Sequence, residues 1–178
     1  FKIISFIPKK AALVTTGSEV FSGLIKDTFT PVVIEKLKEY GAEIIGQKLV
    51  GDNPENITSA INEFIKDGAD LVVCTGGMSV DPDDRTPLGI KNTGAEIVSY
   101  GAPVLPGAMF MLAYDKNDIP IMGLPGCVMY AGRTIFDKVL PRIMADVKVS
   151  KEDIQKMGNG GLCLGCDVCT FPNCGFGC

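Results

Sequence analysis

The chain has 178 residues, 46% of them apolar, with 17 Lys and Arg against 21 Asp and Glu and a net charge of −4. This length and composition suit one domain with a sizeable core, and the lack of basic clusters argues against an electrostatic nucleic-acid binder. There is no histidine, which excludes Ser-His-Asp and Cys-His catalysis and every His-liganded metal site within the chain.

Acid–base chemistry would fall to carboxylates, lysines or metal-bound water. No apolar run is long enough to suggest a membrane-spanning helix. The opening FKIISFIPKK lacks the apolar core and small-residue cleavage site of a signal peptide. A cytoplasmic protein is expected, and Phe1 in place of Met suggests a piece cut from the C-terminal part of a longer chain.

The predicted elements alternate. Ala11–Thr15 is a short unbroken apolar run, as in a strand covered on both faces. Thr30 and Pro31 read as the cap and first residue of a helix, with Ile34, Leu37 and Tyr40 (and Val33 beside them) as its apolar stripe and Gly41 as its end. Glu43–Val50 reads as a second strand. Asn53-Pro54 opens a second helix, whose Ile57, Ala60, Ile61, Phe64 and Ile65 follow helical spacing; Gly68 closes it. Leu71–Cys74 is a third strand, and Thr86–Asn92 a short helix ended near Gly94. From Ala95 to Asp118 short β-like pieces suggest a hairpin excursion. Ile119–Gly123 is a further core strand, followed by a long helix over Cys127–Leu140, which Pro141 kinks unless it starts a new turn. From Val147 the chain turns polar, then Gly-rich, then Cys-rich. The expected domain is 1–146, with 147–178 a tail.

This alternation predicts an α/β fold: three layers, with helices on both faces of a mostly parallel sheet. Right-handed crossovers would gather the strand-to-helix loops at one carboxyl edge, where such sheets bind ligands.

Three glycine loops fall there: Thr15-Thr16-Gly17-Ser18-Glu19, Thr75-Gly76-Gly77-Met78-Ser79 and Gly123-Leu124-Pro125-Gly126-Cys127. Glycine lets backbone approach a ligand, and bare N–H groups attract anions. An ordinary turn explains any one of them equally well. The second loop runs on into Asp81, Asp83, Asp84 and Thr86. Carboxylates this dense call for a cation or strong donors, and Mg²⁺ shared with a phosphate would answer; helix capping by Asp84 is the plainer alternative.

TGSEVFSGLIKDT, VGDNPENI, CTGGMSVDPDDRT, PVLPGAM and GLPGC occur in the order seen in molybdenum-cofactor biosynthesis proteins. Over Lys10 to about Asp146 the chain resembles MogA and MoaB, and more closely the third domain of MoeA. The resemblance implies a MogA-like fold and molybdopterin binding. It implies that Asp27, Asp52 and Asp84 serve Mg²⁺ or molybdate chemistry. It also implies ligand contacts from Gly76, Gly77, Ser79 and Thr86, with the other residues of the three loops and Pro106-Gly107 alongside. A homodimer or homotrimer is implied, with no nucleic-acid or membrane partner and with N-terminal domains beyond this chain. The sequence departs from the family at Phe29 (usually Asn), at Ala108-Met109 (usually Lys-Pro) and at Cys127-Val128 (usually Asn-Pro). Losing a lysine and an asparagine favours binding over catalysis of molybdate insertion. Cys127 at a helix start would have its thiolate favoured, or it is a small packing residue. Two alternatives stand beside the enzyme: a non-catalytic pterin carrier or sensor, and a nucleotide pyrophosphatase of CinA type.

Five of the seven cysteines lie in the last sixteen residues: Cys163, Cys166, Cys169, Cys174 and Cys178. The C-x2-C-x2-C run has the first two spacings of a bacterial iron–sulfur motif; structural zinc, disulfides and a disordered thiol tail are the competing readings.

Overall fold

The computed structural model describes residues 2–79, 81 and 84–178; Asp83 of the acidic loop lies outside them. The strands are β1 (Lys10–Thr16), β2 (Glu43–Val50), β3 (Leu71–Thr75), β4 (Glu96–Tyr100), β5 (Met111–Tyr114) and β6 (Pro120–Leu124). They form one sheet in the order β2-β1-β3-β6-β5-β4. The first four of that order run parallel; β5 is antiparallel to β6 and to β4. The excursion at 95–118 is thus a hairpin that widens the main sheet.

The helices are α1 (Ser18–Phe21), α2 (Phe29–Glu39), α3 (Pro54–Lys66), α4 (Thr86–Asn92), α5 (Ile135–Met144) and α6 (Lys151–Lys156). Successive strand residues point to opposite faces, so the unbroken apolar strands feed two cores. Ala11, Leu13, Leu71, Val73, Met122 and Leu124 pack with α2, α5 and α6. Ala12, Val14, Val72, Cys74 and Ile121 pack with α3 and α4. Each fully buried Leu, Ile or Val contributes about 1.5–3 kcal/mol, which is why both faces must be covered.

The start of α3 follows its sequence signal. The Asn53 side chain accepts the Glu55 N–H at 2.8 Å, and Pro54 occupies the first helical position, where no N–H is required. Ile57, Ala60, Ile61 and Phe64 form the buried stripe.

Three expectations are corrected. Thr30 does not cap α2, which begins at Phe29. Its hydroxyl is buried against Thr15 at 2.8 Å, while the Asp27 carboxylate accepts the Phe29 and Thr30 N–H groups, each at 3.0 Å. The buried face of α2 holds Val33, Lys36 and Leu37, with Ile34 and Tyr40 only partly covered.

No single helix spans 127–140. A 3₁₀ turn over Gly126–Met129 is followed by a break, and α5 starts afresh from Thr134. Thr134 and Asp137 bond reciprocally as a capping box, which fixes that start. Pro141 lies inside α5 and does not end it.

Residues past Val147 also join the core. Ser150 and Asp153 form a second capping box at the head of α6. Val149, Ile154, Met157 and Phe176 are buried, and the Val149 N–H donates to the Tyr114 hydroxyl at 2.9 Å.

Candidate functional site

Parallel register brings the glycine loops together. Thr15 pairs with Thr75, and Thr75 with Leu124, so β1, β3 and β6 end side by side. Thr16 pairs with Val50, which brings Gly51-Asp52 to the same edge. After β1 the chain crosses to β2 on one side, and after α3 it returns to β3 on the other. The gap between the β1 and β3 loops is therefore the topological switch point, where open α/β sheets take ligands.

The two loops touch there. A Cβ on Gly76 would lie 2.2 Å from the Thr16 carbonyl oxygen, and its φ is +81°; only glycine fits. Beneath it the Thr16 and Thr86 hydroxyls share a buried hydrogen bond of 2.9 Å, and a Cβ on Gly77 would crowd Thr86 Oγ1 at 2.9 Å. The β1 loop is thus locked to the head of α4.

Each predicted aspartate stands on its own loop. Asp84 accepts the Ser79 N–H at 2.5 Å and closes the loop after β3. Burial, then the charge of Asp84, raises the phenol pKa of Tyr100. Asp52 accepts the Ser18 N–H at 2.8 Å and the Ser18 hydroxyl at 2.7 Å, tying the β2 loop to α1. Asp27 caps α2 through Oδ1, while Oδ2 accepts from Gln47 at 2.8 Å.

These bonds leave the three carboxylates serving three separate loops. Among the described residues, no three His, Cys, Asp or Glu side chains gather closely enough to hold a metal ion. The expected joint role of Asp27, Asp52 and Asp84 around a metal is not matched by a preassembled ligand set.

Several other expected contacts face inward. Thr16 and Thr86 bond to each other, and the Thr75 hydroxyl donates to Thr15 at 3.3 Å. Met78 is buried, its sulfur and methyl lying where a Cβ on Gly123 would have to go. Gly17, Ser18, Glu19, Gly76, Gly77, Ser79 and Gly126 are at least partly open to solvent. Gln47 escaped the sequence reading, although a lone amide in EIIGQKLV was its signal; it bridges Asp27 and Thr30 and so holds the head of α2.

The remaining loops adjoin this edge. Pro106, Gly107, Pro125, Cys127 and Cys163 line a cavity of about 430 Å³. The Pro106 carbonyl accepts the Ile135 N–H at 3.2 Å, which seats that loop on the start of α5. Cys127 is no activated thiolate: burial raises its pKa, and the N–H groups of Cys127 and Val128 offset this only in part.

No helix among the described residues is long and apolar enough to cross a membrane. The fold matches that of MoaB from Thermus thermophilus, with a TM-score of 0.63 at 19% identity over 81% of this chain and 97% of that one. It also matches the tungsten cofactor synthesizing protein MoaB of Pyrococcus furiosus, with a TM-score of 0.62 at 21% identity over 80% of this chain and 98% of that one. A CinA-like protein of Mycobacterium avium (strain 104) is 32% identical over 80 residues, 45% of this chain and 18% of that protein. The chain spans about a fifth of the length of the curated relatives it matches. The family model described as "Probable molybdopterin binding domain" matches residues 12–145. With its sheet, its ordered motifs and a match over well above half its length, the chain belongs to the molybdopterin-binding domain family that includes MogA and MoaB.

Proposed function

We propose that the chain binds molybdopterin across the ends of β1, β3 and β6, as a pterin-binding module of molybdenum-cofactor synthesis. One observation carries this reading. The Thr16 and Gly76 backbones meet at the switch point so closely that a Cβ on Gly76 would lie 2.2 Å from the Thr16 carbonyl oxygen, next to the exposed Ser18 and Ser79. Such a junction suits a phosphate and the edge of a flat polar ring. Ser18, held by Asp52, and Ser79, held by Asp84, are the contacts assigned to the phosphate and pterin. Pro106-Gly107 and Leu124-Pro125-Gly126 flank the ring.

Binding is favoured over molybdate insertion. Both Asp27 oxygens accept from loop N–H and amide groups, and Asp52 Oδ2 accepts from the Ser18 N–H and hydroxyl, so these carboxylates hold loops in place. Ala108 and Cys127 stand where MoeA-like chains carry lysine and asparagine. The domain is also taken to act within a longer MoeA-like chain and to self-associate. Phe21, Leu24, Ile25 and Leu49, apolar and exposed beside the same edge, suit a second copy.

Anaerobic titration with molybdopterin in the presence of Mg²⁺ tests the reading. Saturable binding is expected, weakened about tenfold or more by Asp84→Ala, since that change frees the Ser79 loop (about 1.5–3 kcal/mol for a hydrogen bond to a charged group). No saturation, or equal affinity for Asp84→Ala and the parent, would refute it. With adenylylated molybdopterin and molybdate, the module is expected to release no nucleotide.

The 32% identity to a CinA-like protein over 80 residues favours a second reading, cleavage of a pyrophosphate-linked nucleotide at the same loops. Turnover of such a nucleotide without molybdopterin binding would select it.

A further inference from the structure

The tail folds back over the start of α5. Leu105 and Leu162 form a parallel bridge, with the Leu105 N–H donating to Gly161 at 2.6 Å and the Cys163 N–H to Leu105 at 2.8 Å. Between the tail and Arg133 lies a cavity of about 620 Å³ whose lining includes Cys163, Cys166, Cys169 and Cys174. Four cysteines from one short segment therefore border one space. Cys163 and Cys174 are anchored against the core, and Cys166 and Cys169 sit on the exposed turn between them.

The other three cysteines are set apart. Cys74 is buried in the sheet, and burial pushes its thiol up to about 12. Cys127 lines the neighbouring cavity. Cys178 donates its thiol to the Cys174 carbonyl at 3.1 Å and lines a different hollow beside Phe6 and Pro141. All seven stand as free thiols.

We propose that Cys163, Cys166, Cys169 and Cys174 ligate an iron–sulfur cluster of the four-iron class. Two observations favour a cluster over one zinc ion. The four cysteines border one cavity of about 620 Å³, far more room than a single ion held by Zn–S bonds of about 2.3 Å requires. The C-x2-C-x2-C run also supplies three thiolates from a single turn, as clusters use, where zinc sites pair separate C-x2-C knuckles.

The surroundings suit a negatively charged cluster. Arg133 lines the same cavity, and its guanidinium lies 4.9 Å from the Phe171 ring centroid. Leu164, Phe171 and Phe176 supply apolar lining, which tunes a cluster's potential. Through Cys163 and Leu105 the site joins the Pro106-Gly107 loop, so loading the tail would steady that loop. The proposal does not depend on molybdopterin binding.

Anaerobic reconstitution of the chain with ferrous iron, inorganic sulfide and a thiol reductant tests it. About four iron and four labile sulfide per chain are expected, with a broad visible charge-transfer absorption. Cys178→Ser and Cys127→Ser are expected to retain the cluster. Cys166→Ser and Cys169→Ser, on the exposed turn, are expected to keep the parent's circular dichroism and lose at least tenfold of the bound iron. No bound iron in the parent, iron retained in the Cys166→Ser/Cys169→Ser double variant, or zinc displacing iron in a parallel incubation would each overturn it.

Discussion

Replacing Gly76 with alanine is expected to cost about 2–4 kcal/mol, from forcing a side chain into a left-handed conformation and from overpacking. The added Cβ would meet the Thr16 carbonyl oxygen at 2.2 Å and the Thr16 hydroxyl at 2.9 Å, at a φ of +81°. A backbone oxygen cannot swing aside as a flexible side chain can. Relief requires the β1 and β3 loops to part, which would break the Thr16–Thr86 hydrogen bond. Gly126→Ala is the matched control: it lies on the neighbouring loop, has no positive φ and meets nothing within 4 Å. It should stay within about 0.5 kcal/mol of the parent. Urea denaturation of the two variants measures the contrast. Equal midpoints would mean that the loops do not touch as described.

The second large effect lies at the head of α5. Asp137, 3% exposed, accepts from Lys36 at 2.6 Å, Arg133 at 3.1 Å and the Thr134 N–H at 2.8 Å. Removing one partner of a buried ion pair strands the other charge and costs about 3–5 kcal/mol. Asp137→Ala is expected in that range, since it leaves Lys36 facing the core and also opens the α5 capping box. Lys36→Met should cost less, because Arg133 still answers the carboxylate. The Lys36→Met/Asp137→Leu double variant should recover part of the loss, which a thermodynamic cycle would report as coupling. Loss of only about 1 kcal/mol for Asp137→Ala would reduce the residue to a helix cap.

Much of this architecture was legible in the chain. The bounds of β2 and α4 follow from sequence alone, because Gly41, Asn53-Pro54, Thr86-Pro87 and Gly94 punctuate them. The loops at the sheet edge were legible for the same reason. Apolar periodicity misled between 127 and 140: Val128, Met129, Ile135 and Phe136 look continuous, but Thr134-x-x-Asp137 restarts the helix. The same signal, Ser150-x-x-Asp153, was hidden by the polar composition after Val147, although Ile154 behind it is buried.

Site chemistry was harder to read. Asp27, Asp52 and Asp84 sit on loops of the ligand edge, and sequence order cannot say which donors occupy their oxygens. The structure assigns them to α2 and Gln47, to Ser18, and to Ser79. Lys36 and Arg133 look like surface charges until Asp137 is found beneath them.

The central claim is that molybdopterin sits on the loops after β1, β3 and β6. Amide hydrogen exchange of the chain with and without molybdopterin tests this most directly. Slowed exchange confined to Gly17–Ser18, Gly76–Ser79 and the Gly126 loop is the predicted footprint. Protection centred on the tail cavity beside Arg133, or none at ligand saturation, would contradict it.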